Sequence, residues 1–283
     1  MKLVLIIILP TRTKTEIPAS VFDNFLISVK GSNTNSKMKD QGQTFINAQN
    51  TYGMNALLVY SLACLESAYG TSDFALNRNN LFGWNAFDSD PGQASYFSSI
   101  EAAINEHMGI NLRGYTNIND SRFFGSHVGN KGSGFNVKYA ADPYWGYKIA
   151  AIAYSIDKAS GFKDLNKYSV GVINKYGVNV LKSPNGATYQ ENFTVALLGN
   201  ESNHYKIQST NPVSGGNIVT GDTKGLVTYD WNQSVGYIPT GYVTQVGGAS
   251  IVQPGTYPTG SVVNSVSKIE IKESVFYIYV IYK

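Results

Sequence analysis

The sequence predicts a multidomain chain: a mainly helical domain, then a small all-β domain. Three observations carry this. Residues 54–65, MNALLVYSLACL, are apolar on every side, the mark of a helix buried all round. Stretches readable as helix flank it at 17–29, 40–52, the run EAAINEHMGINL and the segment DPYWGYKIAAIAYSIDKASG that ends at Gly161. From Lys167 the pattern changes to short alternating runs, YSVGVINKYG, GVNVLKS, TVALLG and HYKIQS, separated by Gly, Asn, Pro and Asp, which is the grammar of a small β domain.

The elements follow in order. Residues 1–35 form an N-terminal segment. Lys2 followed by the apolar run 3–9 resembles the start of a secretory signal without a small-x-small cleavage site, and it reads equally as a strand. GSNTNS is a polar loop between the first two expected helices. Residues 36–161 make the helical domain. Within it, 71–99 are rich in Asn, Asp, Gly and aromatics and read as irregular structure over the mouth of a site. Ser98 with Glu101 three residues later reads as a capping box opening the next helix. The β domain occupies 167–246, and 247–283 are a Gly, Pro and Thr-rich linker with a β-prone end, SVFYIYVIYK, expected to be paired or covered.

Composition bounds the function. The 283 residues allow two domains with real cores. Hydrophobic residues at 43% against 14% charged are globular, and 20 Tyr suit surfaces that stack on sugars as well as a Tyr-rich β domain. A formal net charge of +3 without a basic block makes nucleic acid an unexpected partner. Cys64, the single cysteine, excludes an internal disulfide framework and reads as a small core residue. His107, His127 and His204 stand apart with no HExxH and no cysteine cluster, so no metal and no cofactor is expected. The apolar run at the N-terminus is too short to span a membrane, and a monomer is expected.

Glu66 is the residue that demands explanation. It follows the apolar helix directly, shares a stripe with Leu58 and Leu62, and Gly70 behind it supplies a left-handed stop. A carboxyl in the last turn of a buried helix is disfavoured as an anion by desolvation and by the negative end of the helix dipole. Such a group keeps its proton near neutrality and serves as a general acid. A half-buried Glu paired with a Lys or Arg is the alternative that this stretch alone leaves open.

The motif LESAYGTSDFALNRNNLFGWNAFDSDP closely resembles the glucosaminidase domains of bacterial autolysins and phage lysins, glycoside hydrolase family 73. The matching residues are Glu66 and Ser67 with Gly70 and Ser72, then the run from Asn79 and Asn80 through Leu81, Phe82 and Gly83, and then YAADPYW at 139–145 ahead of Lys148 and Ile149. The resemblance covers about 43–161. It implies a lysozyme-like α fold, Glu66 as the catalytic acid, and a groove for peptidoglycan glycan strands. It also implies that Tyr139 lines the reacting sugar, that Asn80, Phe82 and Gly83 shape the groove, and that Asp142, Tyr144 and Trp145 take part in holding substrate. In an arbitrary protein Phe82 and Trp145 are more often core residues, NNLFG can be an Asn-rich turn, and Tyr139 can cap a neighbouring helix.

For the second acid group, Asp88 and Asp90 in the mouth loop are the nearest candidates. Glu101 is assigned to helix capping. An inverting enzyme needs its two carboxyls about 6.5–9.5 Å apart, whereas a substrate acetamido group acting as nucleophile removes the need for a close pair. The β segment resembles a bacterial Src-homology-3-like barrel, on GVNVLKSP and a later GYIPTGYV, which implies a cell-wall-binding role; a generic barrel without a binding role stays open. The chain thus reads as an endo-β-N-acetylglucosaminidase acting on peptidoglycan, secreted, wall-associated or phage-encoded. Its rivals are a muramidase or lytic transglycosylase on the same fold, a Cys/His peptidase, and a non-enzymatic wall-binding protein.

Overall fold

The computed structural model describes residues 2–85, 95–165, 167–182, 188–191, 193–210 and 225–247. Asp88, Asp90 and the expected linker and β-prone end from 248 onward lie outside the described residues.

Among the described residues, α-helices build the first part: α1 Lys2–Ile7, α2 Ala19–Lys30, α3 Gly42–Tyr52, α4 Ala56–Glu66, α5 Asp73–Arg78, α6 Ile100–Glu106, α7 Arg113–Thr116 and α8 Trp145–Ala159. The sequence reading of α4 holds: every residue from Ala56 to Cys64 is buried. Asn55 starts the helix by accepting a hydrogen bond from the Leu58 amide at 3.1 Å, which satisfies one of the open donors of the first turn. Its own amide donates to Thr13 Oγ1. α4 packs against α3 and α8, and Tyr60 lies between Phe22 and Phe45 at ring distances of 4.9 and 5.0 Å. Cys64 is a buried core residue whose thiol burial pushes its pKa up.

The helix ends at Glu66 by a sharper device than one glycine. Ala68, Tyr69 and Gly70 all take left-handed backbone conformations, with φ of 51°, 61° and 76°. A Cβ on Gly70 would lie 2.5 Å from Ser36 Oγ and 2.8 Å from the Met38 amide nitrogen, so close approach as well as φ requires glycine. The next cap differs from the expected one. Ser99, not Ser98, is the N-cap of α6, with extended backbone and its side chain accepting from the Ala102 amide. Glu101 therefore sits one position too early to close a capping box, and it is exposed.

The N-terminal segment is not set apart. Ile6, Ile7, Ile8 and Leu9 belong to the same buried cluster as α4 and α8, and α1 packs on α8.

The second part holds a five-stranded antiparallel sheet in the order β6-β5-β4-β1-β7, from β1 Ser169–Ile173, β4 Thr194–Glu201, β5 His204–Gln208, β6 Val235–Pro239 and β7 Val243–Gly247. A two-stranded ladder joins β2 Val178–Asn179 to β3 Thr188–Tyr189, and Leu181 bridges to Tyr237 of β6. The edge strands β6 and β7 are joined by the short 3₁₀ turn Thr240–Tyr242. Three residues reach at most about 11 Å, so the sheet must curl strongly. Among the described residues it does not close into a barrel. Its core gathers Ile173, Val195, Leu197, Ile207 and Ile238.

The two parts are joined through buried polar contacts. Arg12 is 2% exposed. Its guanidinium donates to the carbonyls of Tyr52, Gly53 and Thr210 and to Thr116 Oγ1, all at 2.9–3.0 Å, and it lies 4.3 Å from the Tyr229 ring centroid. Burial lowers its pKa to about 10, so it stays charged at neutral pH. His127 meets Thr194 of β4, and Phe123 packs edge-on against Phe193. The sheet is thus anchored to the helices rather than hung from a linker.

Replacing Arg12 by Met keeps only an unbranched apolar stem and removes every guanidinium donor to Tyr52, Gly53, Thr210 and Thr116. A buried acceptor that loses its donor costs about 1–3 kcal/mol, offset in part by no longer desolvating a cation. The expected net loss is about 3 kcal/mol, read by urea unfolding. A fragment ending at Gly161 should likewise unfold at lower urea than the full chain; equal midpoints would mean that the sheet contributes nothing to the helical part.

Candidate active site

Glu66 ends α4 with its carboxyl half-buried, and the site is built around that group. Trp145, the first residue of α8, donates its indole Nε1–H to Glu66 Oε1 at 2.6 Å, which is short and charge-assisted when the acceptor is ionised. The start of α8 is fixed for this purpose. Asp142 accepts from the Tyr144 amide at 2.9 Å and pairs with Lys148 at 2.7 Å. Its backbone carbonyl accepts from Asn136 Nδ2. The Lys148 hydrogen bond holds the Asp142 carboxyl below its ordinary range. Asp142 thus orients the turn that aims Trp145, while Tyr144 is 65% exposed at the surface.

Tyr139 stacks on Trp145 with centroids 4.6 Å apart and is half-buried. Burial, then the neighbouring Glu66, push its phenol pKa well up. On the other side, Gly83 brings bare backbone to the carboxyl. A Cβ there would sit 3.8 Å from Glu66 Oε2, and its φ of 59° favours glycine, so this face of the acid stays open. Asn80 makes the loop that presents Gly83. Its Oδ1 accepts from the amides of Phe82 and Trp84, and its Nδ2 donates to the carbonyls of Trp84 and Ser95. With Asn80 1% exposed and Phe82 2% exposed, both shape the loop from inside rather than offering a surface.

Sequence reasoning missed His107 and Trp84. His107 is fully buried, stacked on Phe82 at 3.8 Å with planes 4° apart, and its Nε2 lies 3.3 Å from Tyr139 Oη. Trp84 meets its edge at 5.8 Å and is half-buried beside Gly83. A lone histidine just past the end of a short helix carries no signal in one sequence, because what matters is the loop residue brought onto it. The chain Phe82, His107, Tyr139, Trp145 and Glu66 is continuous in space and drawn from four separate stretches.

Burial raises the Glu66 pKa above its ordinary value, and the Trp145 hydrogen bond only partly offsets this. Among the described residues no other acid group contributes to that shift. Of the expected site residues, Glu66, Gly83, Tyr139 and Trp145 come together, Asn80, Phe82 and Asp142 support them, and Asp88 and Asp90 fall outside the described residues. No group of three or more His, Cys, Asp or Glu suited to a metal ion occurs among the described residues.

A raised carboxyl pKa has a definite sign for stability. The folded state prefers the protonated form, so the contribution is full below the unfolded pKa of about 4.3 and is lost as pH rises through the higher folded value. Glu66→Gln removes the ionisation and keeps an oxygen for Trp145. It should therefore melt above the wild type at pH 7, with the gap closing near pH 4. A variant less stable at pH 7 would mean that the anion is held at no cost.

Residues 42–158 match the glucosaminidase family described as mannosyl-glycoprotein endo-β-N-acetylglucosaminidase. Putative endo-β-N-acetylglucosaminidases of two Streptococcus pneumoniae strains, TIGR4 and R6, are 39% identical over 131 residues. That stretch is 46% of this chain and 19% and 18% of those relatives, so the match spans under a fifth of their length. Among solved structures, S. aureus autolysin E, one form of it in complex with the disaccharide NAG-NAM, aligns at a TM-score of 0.41 and 20% identity over 55% of this chain and 73% of that one. A major bifunctional autolysin aligns at 0.41 and 20% over 57% and 71%. The stretch similar to the glucosaminidase family thus takes in Glu66, Gly83, His107, Tyr139 and Trp145 together, and the sheet lies beyond it.

Proposed function

We propose that the protein is a peptidoglycan hydrolase that cleaves the β-1,4 bond following N-acetylglucosamine in glycan strands, with Glu66 as general acid. The observation that carries this reading is a half-buried carboxyl with a raised pKa, held by the Trp145 indole and flanked by bare Gly83 backbone, inside a stretch matching the glucosaminidase family.

The chemistry follows from the placement. Glu66 gives its proton to the glycosidic oxygen as the bond to the anomeric carbon breaks, so the leaving sugar departs as an alcohol and positive charge grows on the remaining ring. Trp145 then stabilises the glutamate left behind. Tyr139 lines the reacting sugar, and Tyr144, exposed at the start of α8, offers a ring to a neighbouring one. Water completes the reaction at the anomeric carbon, activated by Asp88 or Asp90, or after attack by the sugar's own acetamido oxygen. The catalytic part is assigned to 36–161. The curled sheet over 167–246 is assigned to an Src-homology-3-like wall-binding module, and the place of action to the cell wall, reached by secretion or by phage release.

Glu66→Gln should fold and lose wall lysis by about 10²–10⁴-fold, the usual worth of general acid help; near wild-type lysis would remove the acid role. The bond is read by borohydride reduction of digestion products and mass spectrometry. N-acetylglucosaminitol is expected. Reduced muramic acid would mean a muramidase, and anhydro-muramic acid a lytic transglycosylase.

A further inference from the structure

His107 is completely buried, yet among the described residues only one of its ring nitrogens has a partner. Nε2 lies 3.3 Å from Tyr139 Oη, and Nδ1 has none among the described residues. The flat stack on Phe82 and the edge contact with Trp84 fix the plane of the ring. Packing alone does not ask for histidine here, since a phenyl ring would stack equally well without burying an orphaned nitrogen, which is costly. Among the described residues, the contact with Tyr139 is therefore the only polar use that the ring has. His107 also opens the π-helical turn His107–Asn111, a wider turn that re-aims side chains relative to α6.

Burial holds the imidazole neutral, with its pKa lowered to about 3, so two tautomers compete. With the proton on Nδ1, a buried N–H would face no acceptor. With the proton on Nε2, the N–H donates to Tyr139 Oη, and the orphan is a bare lone pair, the more tolerable of the two. The phenol keeps its own proton, because burial and Glu66 push its pKa up.

We propose that His107 is a positioning residue that, as the Nε2–H tautomer, donates to Tyr139 Oη and thereby leaves the Tyr139 O–H free to donate to an acceptor oxygen of the bound sugar. This rests on the hydrolase reading for its substrate, but not for its hydrogen bond. It makes Tyr139 a fixed donor in the site, held at its hydroxyl by His107 and at its ring face by Trp145.

Two measurements test it. In ¹⁵N-histidine-labelled protein only three residues give ring signals, and those of His107 are the ones lost in His107→Gln. The expected pattern is a protonated Nε2 and an unprotonated Nδ1, with the Nε2 signal moved by Tyr139→Phe. An Nδ1–H tautomer, or an Nε2 signal indifferent to Tyr139→Phe, would overturn the proposal. In kinetics on purified walls, His107→Phe keeps the stack and should lower kcat about tenfold, the size of one neutral hydrogen bond. His107→Gln should recover part of that loss, and His107→Phe should add nothing in a Tyr139→Phe background. Full activity in His107→Phe, or additive losses, would overturn it. A wild type that cleaves no glycan would sink the hydrolase reading while the tautomer measurement still decides this one. If His107→Phe fails to fold, the same spectra of wild type and Tyr139→Phe decide it.

Discussion

The hydrogen bond from Trp145 Nε1 to Glu66 Oε1 is the contact on which the site depends. A carboxyl at the end of a fully buried helix is costly as an anion and useful as an acid. One donor is enough to hold its geometry without pulling its pKa back to the ordinary range, whereas a cationic partner would have done so. The indole provides direction without charge. Asp142 and Asn136 fix the first turn of α8, so that the donor is delivered by backbone structure and not by a flexible arm.

Around that contact the aromatic residues divide into support and surface. Phe82 and His107 are sealed inside, Tyr139 and Trp84 are half-buried, and Tyr144 is exposed. Burial thus falls from core to surface within a few residues around Glu66.

The sheet is attached by a different physical principle. Among the described residues Arg12 has no carboxylate partner; it spends its donors on carbonyls from α3, the residue beyond it and Thr210 just after β5, and on a threonine hydroxyl. A buried guanidinium that satisfies so many acceptors locks relative placement, because no small shift preserves all of its bonds. Thr210 and Tyr229, which hold it from the sheet side, stand far from Arg12 in the chain. Nothing in the local sequence around Arg12 announces this.

The sequence by itself determined what depends on nearby residues. The all-round apolar run of α4, the left-handed Gly70 behind it and the alternating strands after Lys167 were legible, because helical and strand periodicity and tight turns are local properties; Gly83, Tyr139 and Trp145 were singled out only by the resemblance to the glucosaminidase motifs. Where local signals were close to degenerate the reading slipped: adjacent serines at 98 and 99 cap equally well on paper, and backbone geometry selected Ser99. Tertiary structure alone decided that Ile6–Leu9 belong to the central core, that Arg12 joins the sheet to the helices, and that His107 lies between Phe82 and Tyr139. Those are contacts between segments tens to hundreds of residues apart, and no spacing within one segment encodes which distant side chain will be brought against it.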